Sequence, residues 1–232
     1  MKLATFWRAE SMKLTKISTV GGLSVYQDDS GAVLYKAGCT VNSDGSPHSY
    51  APNDSGLSAL DYLANAGSPG NWWGVATDAA GEPYVQKAWH VAPGFYVSTT
   101  ALINPDFPDD HPSRYVDSER FAFSVLPGGQ SWFKMGDVGL ALNVQTGDHM
   151  YHCAADVGPR DHLGEGSILL SRCLGLNPCP KSGGTSKPII AWVTLPGSDP
   201  GYRPWEEKCR VAIDRIEKWG GLARLQEASS QL

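Results

Sequence analysis

The sequence lacks a long hydrophobic run, an excess of basic charge and a paired-cysteine motif. No apolar stretch approaches the roughly 20 residues that a membrane-spanning helix needs, so no transmembrane helix is expected. Lys and Arg number 19 against 24 Asp and Glu, which disfavours nucleic-acid binding because that function needs a basic face. The five cysteines form no CxxC pair, which argues against a zinc ribbon. Neither nucleic acid nor a membrane is therefore an expected partner.

Turn-forming and aromatic residues, by contrast, are abundant. The 232 residues include 26 Gly, 16 Pro, 8 Trp, 9 Tyr and 6 Phe, while only 19% are charged. This composition is typical of a turn-rich β protein with an aromatic-lined surface. The length suits one domain, which we place at residues 23–232. Residues 1–22 are interpreted as an extension, either disordered or the product of a misread start, because Met12 begins a second start-like stretch.

Short apolar or alternating runs bounded by turn residues predict about nine strands. They are Leu23–Gln27, Ala32–Lys36, Trp73–Thr77, Pro83–Gln86, Phe95–Thr99, Phe121–Leu126, Val138–Val144, Met150–Ala155 and Ile189–Leu195. Three helices are predicted by apolar residues at helical spacing. The first stops at Gly67 and has on one face Leu57, Leu60, Leu63 and Ala64. The second covers about residues 165–174. The last begins at Pro204, ends at Gly220 and carries an apolar stripe of Cys209, Ala212, Ile213 and Ile216. The pattern predicts an α+β fold, mainly antiparallel β, as a compact barrel-like domain with a few peripheral helices.

Two carboxylates are the strongest candidates for chemistry. Asp156 follows an apolar strand, and Glu165 stands between two glycines at the start of a predicted helix. Carboxylates on opposite sides of one cleft are what glycoside hydrolysis requires, one to donate a proton and one to activate water. The same residues would also suit a turn cap and a helix cap, and their spacing alone favours that simpler role.

The segment Gly70-Asn71-Trp72-Trp73-Gly74 is a candidate sugar-binding element. Adjacent residues on a strand point to opposite faces, so one indole can pack in the core while the other lines a groove. Asn71 could bond hydroxyl or amine groups. A separate set of metal-capable side chains (His149, His152, Cys153, Asp156 and His162) fits no familiar zinc signature, and no metal site is predicted.

These motifs resemble those of the chitosanases of glycoside hydrolase family 75, the fungal-type family with bacterial relatives. The most specific stretch runs from Ala155-Asp156-Val-Gly-Pro to Gly164-Glu165-Gly-Ser167. Further likeness lies in residues 41–52, 66–74 and 135–137 and, more weakly, in Leu195-Pro-Gly-Ser198 and the C-terminal helix. Together these stretches cover about residues 40–221.

The resemblance implies an endo-acting, inverting hydrolase of β-1,4 links between glucosamine units. Catalysis would rest on Glu165 as general acid and Asp156 as general base, with the reverse assignment open. Candidate substrate-binding residues are Asp44, Tyr50, Asn71, Trp72, Trp73 and Asp137. Neither a metal nor an organic cofactor is implied, and the enzyme is expected to act as a monomer. Small six-stranded double-psi barrels, which host other inverting glycosidases, offer an analogy at the level of the fold only.

Family members are usually secreted, which implies an extracellular location. The segment from Met1 to Leu23 lacks the apolar run of a secretory signal, so export by a signal-independent route or a cytoplasmic location stays open.

The charge distribution fits a cationic polysaccharide. Residues 104–165 hold 10 acidic and 4 basic residues, a net charge of −6. The acids thought to serve a cationic substrate there are Asp106, Asp109, Asp110, Asp117, Glu119, Asp137, Asp156 and Glu165. Two alternatives remain open: hydrolysis of another glucosamine-containing cell-wall polymer such as peptidoglycan, and a non-catalytic carbohydrate-binding β-barrel.

Overall fold

The structure is a computed structural model, and it describes residues 12–232. In chain order its strands are β1 (Leu14–Val20), β2 (Leu23–Asp28), β3 (Val33–Asn42), β4 (Gly67–Ser68), β5 (Asn71–Trp72), β6 (Phe123–Pro127), β7 (Val138–Asn143), β8 (His149–Gly158), β9 (Glu165–Ser167) and β10 (Thr185–Thr194). The α-helices are α1 (Ile168–Cys173), α2 (Trp205–Trp219) and α3 (Gly221–Ser229). Two 3₁₀ turns lie at Leu63–Ala66 and Pro112–Arg114.

Six strands close into a barrel in the order β3-β10-β7-β8-β6-β9, with β9 returning to β3. The β6–β8 and β3–β9 pairs are parallel, and the other four pairs of the ring are antiparallel. The hairpin β1–β2 extends the sheet outward from β3. The α+β class, with a compact barrel-like domain and few helices, is therefore confirmed.

Both faces of β7 and of the second half of β10 are buried, as is most of β3. On the inner face Tyr35 of β3 stacks on Trp192 of β10, with ring centroids 5.9 Å apart. On the outer face Leu34 and Val193 pack with Ile216 of α2 and with α3. Alternate residues of one strand thus serve two cores, as the two-residue repeat of a strand requires.

The C-terminal helix is confirmed and is followed by one that the sequence analysis missed. Pro204 precedes α2, and Gly220 ends it with φ of 125°. The predicted stripe is wrong at Ile213, which is 41% exposed, because the inward face instead carries Lys208. The Lys208 ammonium is completely buried and lies 2.6 Å from the Asp199 carboxylate, so it pins α2 to the loop before it.

Three other predictions need correction. The helix around residues 57–64 does not form, because Leu60 and Asp61 give their backbone N–H groups to the carbonyls of residues 48 and 49; only the 3₁₀ turn remains. Isolated β-bridges replace the three strands predicted over 73–77, 83–86 and 95–99. Pro83 has no backbone N–H to donate to a continuous ladder. The prediction that residues 1–22 form an extension outside the domain is wrong from Leu14 onward, because β1 pairs with β2. Residues 1–11 lie outside the described part of the chain.

Within residues 12–232, no helix is long and apolar enough to cross a membrane.

A buried histidine inside the barrel makes the stability of the fold pH-dependent. Burial lowers the pKa of His152 to about 4 and outweighs the opposite effect of the backbone at Cys153 and Leu140. The unfolded chain, with a histidine pKa of about 6.5, binds the extra proton first. The free energy of unfolding should therefore fall by about 2 kcal/mol between pH 7 and pH 5 through this residue.

Urea unfolding of His152→Leu at the two pH values should show a smaller fall in the free energy of unfolding, because the contribution of His152 is gone. The matched control is His149→Gln, an exposed position on the same strand, which should keep the loss. An acid loss in His152→Leu equal to that of the wild type would contradict the assignment.

Candidate active site

A row of four side chains crosses four neighbouring barrel strands. Asp156 on β8 lies opposite Val125 on β6, Val125 lies opposite Glu165 on β9, and Glu165 lies opposite Thr40 on β3. Residues directly opposite in a sheet point to the same face. The strand pairing therefore places Asp156 and Glu165 on one face with a single residue between them.

This row forms part of the wall of an open cleft of about 590 Å³. Further walls come from the segment after β3, from residues 61–65, from Trp73, from the end of β8 with Pro159, and from Pro180. Five of the eight site residues predicted from the sequence line it together: Asp44, Tyr50, Trp73, Asp156 and Glu165.

The Asp156 carboxylate is fixed by the backbone. Its Oδ1 accepts hydrogen bonds from the N–H groups of Ala101 and Val157, each 2.9 Å long. Burial and, after it, the charge of Asp44 raise the pKa of Asp156 well above its ordinary value. The two N–H bonds act in the opposite direction, because they stabilise the ionised form.

Glu165 belongs to β9, not to a helix. Its predicted place at the start of a helix is wrong because residues 165–167 pair with both β3 and β6, and Ser167 is the residue that caps α1. The preceding Gly164 has φ of 84°, and a Cβ there would lie 2.6 Å from the Gly38 carbonyl oxygen. Only glycine permits this close approach of β9 to β3.

Glu165 also has a raised pKa, caused first by burial and partly offset by its neighbours. The Asn42 amide donates to Glu165 Oε1 at 2.8 Å, and His162 Nε2 lies 4.0 Å from Oε2. Both neighbours lower the pKa, but burial outweighs them.

Asp44 is a third carboxyl group of the cleft. The Tyr50 hydroxyl donates to its Oδ1 at 2.7 Å, and the Asn42 amide donates to its Oδ2 at 3.1 Å. Burial, with the charges of Glu165 and Asp61, raises the pKa of Asp44 to about 7 despite these bonds. Three acids that repel one another therefore share this space.

The two adjacent tryptophans divide between the cleft and the core as expected, although only Trp72 belongs to a strand. Trp73 is 61% exposed, lines the cleft and donates its indole N–H to the Asn65 carbonyl at 2.9 Å. Trp72 packs against Tyr96 and the buried cluster around Tyr50. Trp72 and the exposed Asn71 do not line the cleft, so the structure does not support their predicted place in a subsite.

Asp137 is also misplaced by the sequence analysis. It is completely buried before β7, where its Oδ2 accepts the backbone N–H of Lys134 at 2.7 Å. Its carboxylate closes this turn and does not reach the cleft.

Of the acids named from the regional charge, only Asp156 and Glu165 line the cleft. Asp109 pairs with Arg114, Asp110 pairs with Lys87, and Asp117 and Glu119 line a separate groove. Among residues 12–232 the cleft is lined by four carboxylic acids and by no lysine or arginine. The four acids are Asp44, Asp61, Asp156 and Glu165.

Sequence reasoning missed Asn42, Asp61 and Asn65, which line the cleft beside the expected residues. Asn65 and Asp61 are four residues apart, and their side chains bond at 2.9 Å. No sequence signal places either of them in the cleft, because the segment was expected to be an ordinary amphipathic helix. Asn42 gave a usable signal, as a polar residue that ends an apolar strand.

The metal-capable side chains around residue 152 are dispersed. His152 points into the barrel, while His149 is exposed on the far end of the same strand. In the described part of the chain, no three His, Cys, Asp or Glu residues are grouped so that they could hold a metal ion.

Comparison with known proteins adds no relative: no protein-family model matches the chain, and no curated protein matches it significantly.

The coupling of Asp44 to Asp156 is directly testable. Asp44→Asn removes the largest charge that acts on Asp156, so the titration midpoint of Asp156 should fall by about one pH unit or more. Carboxyl ¹³C NMR of aspartate-labelled protein measures the titration midpoint of Asp156 in the wild type and in the variant. Asp29→Asn, which removes an equal charge from an exposed turn, is the matched control. An unchanged midpoint in Asp44→Asn would disprove the coupling.

Proposed function

We propose that this cleft hydrolyses β-1,4 links between glucosamine units of chitosan, cutting within the polymer and inverting the anomeric carbon. The observation that carries the proposal is the cross-strand row, because it places Asp156 and Glu165 on one face, on either side of β6, with both side chains lining the cleft. Inverting hydrolases hold their carboxyl groups about 6.5–9.5 Å apart, which leaves room for a water molecule. The resemblance to family 75 chitosanases singles out the same two residues.

In the proposed reaction Glu165 donates a proton to the glycosidic oxygen as the bond from that oxygen to C1 breaks. Asp156 accepts a proton from a water molecule whose oxygen attacks C1 from the opposite face. The raised pKa of Glu165 suits a proton donor. The two backbone N–H groups on Asp156 Oδ1 suit an ionised base.

Burial and, after it, the charge of Asp44 work against this division of roles, because they keep the pKa of Asp156 high. A bound ammonium group would offset that charge. The proposed substrate thus supplies the cation that the cleft lacks, which favours a glucosamine polymer over neutral cellulose. Trp73, with its indole held by Asn65, offers a fixed apolar face for a sugar ring.

Removal of either carboxylate should abolish turnover but not binding. Asp156→Asn and Glu165→Gln should each lower kcat on chitosan by about three orders of magnitude or more, while polymer binding persists. Early ¹H NMR spectra of the wild-type reaction should show the α-anomer first.

The outcomes separate the candidate functions. Wild-type protein that binds chitosan without cutting it would be a carbohydrate-binding barrel, and cleavage of peptidoglycan alone would indicate the other polymer. Azide, which needs no base, should restore turnover in Asp156→Ala with formation of a glycosyl azide and should not do so in Glu165→Ala. The reverse result would exchange the two roles.

Salt should weaken substrate capture. Because the attraction between the acidic cleft and a cationic polymer is screened, raising NaCl from about 0.05 to 0.5 M should raise KM several-fold. The melting temperature, followed over the same range, controls for a loss of folded protein. A KM that does not respond to salt would contradict electrostatic capture.

A further inference from the structure

The Asn42 side chain, at the end of β3, makes three hydrogen bonds with a defined direction. Its Oδ1 accepts the backbone N–H of Asp44 at 2.8 Å. A backbone N–H can only donate, so this bond fixes which end of the amide is oxygen. The NH₂ group must then face the two carboxylates, Glu165 Oε1 at 2.8 Å and Asp44 Oδ2 at 3.1 Å.

We propose that Asn42 is a positioning residue for Glu165, holding Oε1 so that Oε2 is the oxygen that exchanges a proton with the substrate. Both hydrogens of one NH₂ group are used, one for each carboxylate. The amide therefore lies between two groups that repel each other and lowers the energy of their ionised forms. Its role in the reaction rests on the proposed function, but its effect on Glu165 does not.

The surroundings of Oε2 agree with this division of the carboxylate. A Cβ built on Gly158 would lie 3.5 Å from Oε2, so the absence of a side chain there leaves space beside this oxygen. Gly158 lines the cleft, and the nearest ionisable nitrogen, His162 Nε2, is 4.0 Å away. Oε1 accepts the amide hydrogen bond, and Oε2 lies on the side of Gly158 and His162.

Several other ionisable groups surround Glu165. They are Asp44 after β3, Asp61 before the 3₁₀ turn, Asp156 on β8, His162 in the loop before β9 and Cys39 on β3. Burial raises the pKa of the Cys39 thiol to about 11, so it stays neutral across the range of interest. The variants below leave all five unchanged.

Two substitutions remove the amide without adding charge. Asn42→Ser keeps a side-chain oxygen that can accept the Asp44 N–H, because serine forms the same kind of turn, but it is too short to reach Glu165. Asn42→Ala removes both functions. Each should raise the titration midpoint of Glu165 by about one pH unit, read by carboxyl ¹³C NMR of glutamate-labelled protein and assigned by the signal lost in Glu165→Gln.

The matched control is Asn104→Ala. Asn104 Oδ1 accepts the backbone N–H of Asp106 at 3.1 Å, the same two-residue turn, but Asn104 does not line the cleft. It should leave the Glu165 midpoint unchanged. A midpoint that stays within about 0.2 pH unit of the wild type in whichever Asn42 variant folds, or that moves equally in Asn104→Ala, would overturn the proposal.

Measurements of activity on chitosan test the role of Asn42 a second time, and this test depends on the proposed function. On chitosan the Asn42 variants should lower kcat by about tenfold or more, and the limb of the pH profile governed by Glu165 should move with its NMR midpoint. If the wild type cuts no glucosamine polymer, the proposed function fails while the titration still decides the role of Asn42. If it does cut and the limb stays in place, the proton-exchange role of Oε2 is wrong.

Discussion

The three-residue strand β9 holds the site together. It pairs in parallel with β3 and antiparallel with β6, and so closes the barrel and places Glu165 between Thr40 and Val125. The close approach to β3 needs Gly164, since a Cβ there would overlap the Gly38 carbonyl. The residue that closes the barrel is thus also the residue that faces the cleft, and a shift in this pairing would displace the carboxylate.

Electrostatics of the cleft follow from the same closure. Bringing β9 beside the end of β3 places Glu165 near Asp44, and the bulge where β8 passes β6 brings Asp156 to the same row. Burial raises the pKa of all three acids, and in the described part of the cleft no lysine or arginine offsets their charge. Asn42 and Tyr50 stabilise this arrangement with neutral hydrogen-bond donors.

Sequence patterns predicted the elements that depend on local contacts and missed those that depend on contacts between distant residues. The barrel class and helix α2 were predictable from apolar periodicity and from Pro204 and Gly220. Strand β1 was missed because its side chains are mostly exposed, so the hydrophobic alternation is absent, and β9 is too short to show a pattern. Asn42 and Glu165 are 123 residues apart, and no spacing rule joins them.

The misplaced acids show that a regional charge sum does not identify a surface. Most acids of residues 104–165 serve ion pairs, turns or another groove, as Asp110 does with Lys87 and Asp137 with the Lys134 backbone. Two of the four cleft acids, Asp44 and Asp61, lie outside that region altogether. What makes the cleft acidic is the convergence of separate segments at one end of the barrel, which brings four carboxyl groups into one space. The topology of the strands therefore determines the acidity of the cleft as much as the composition of the chain does.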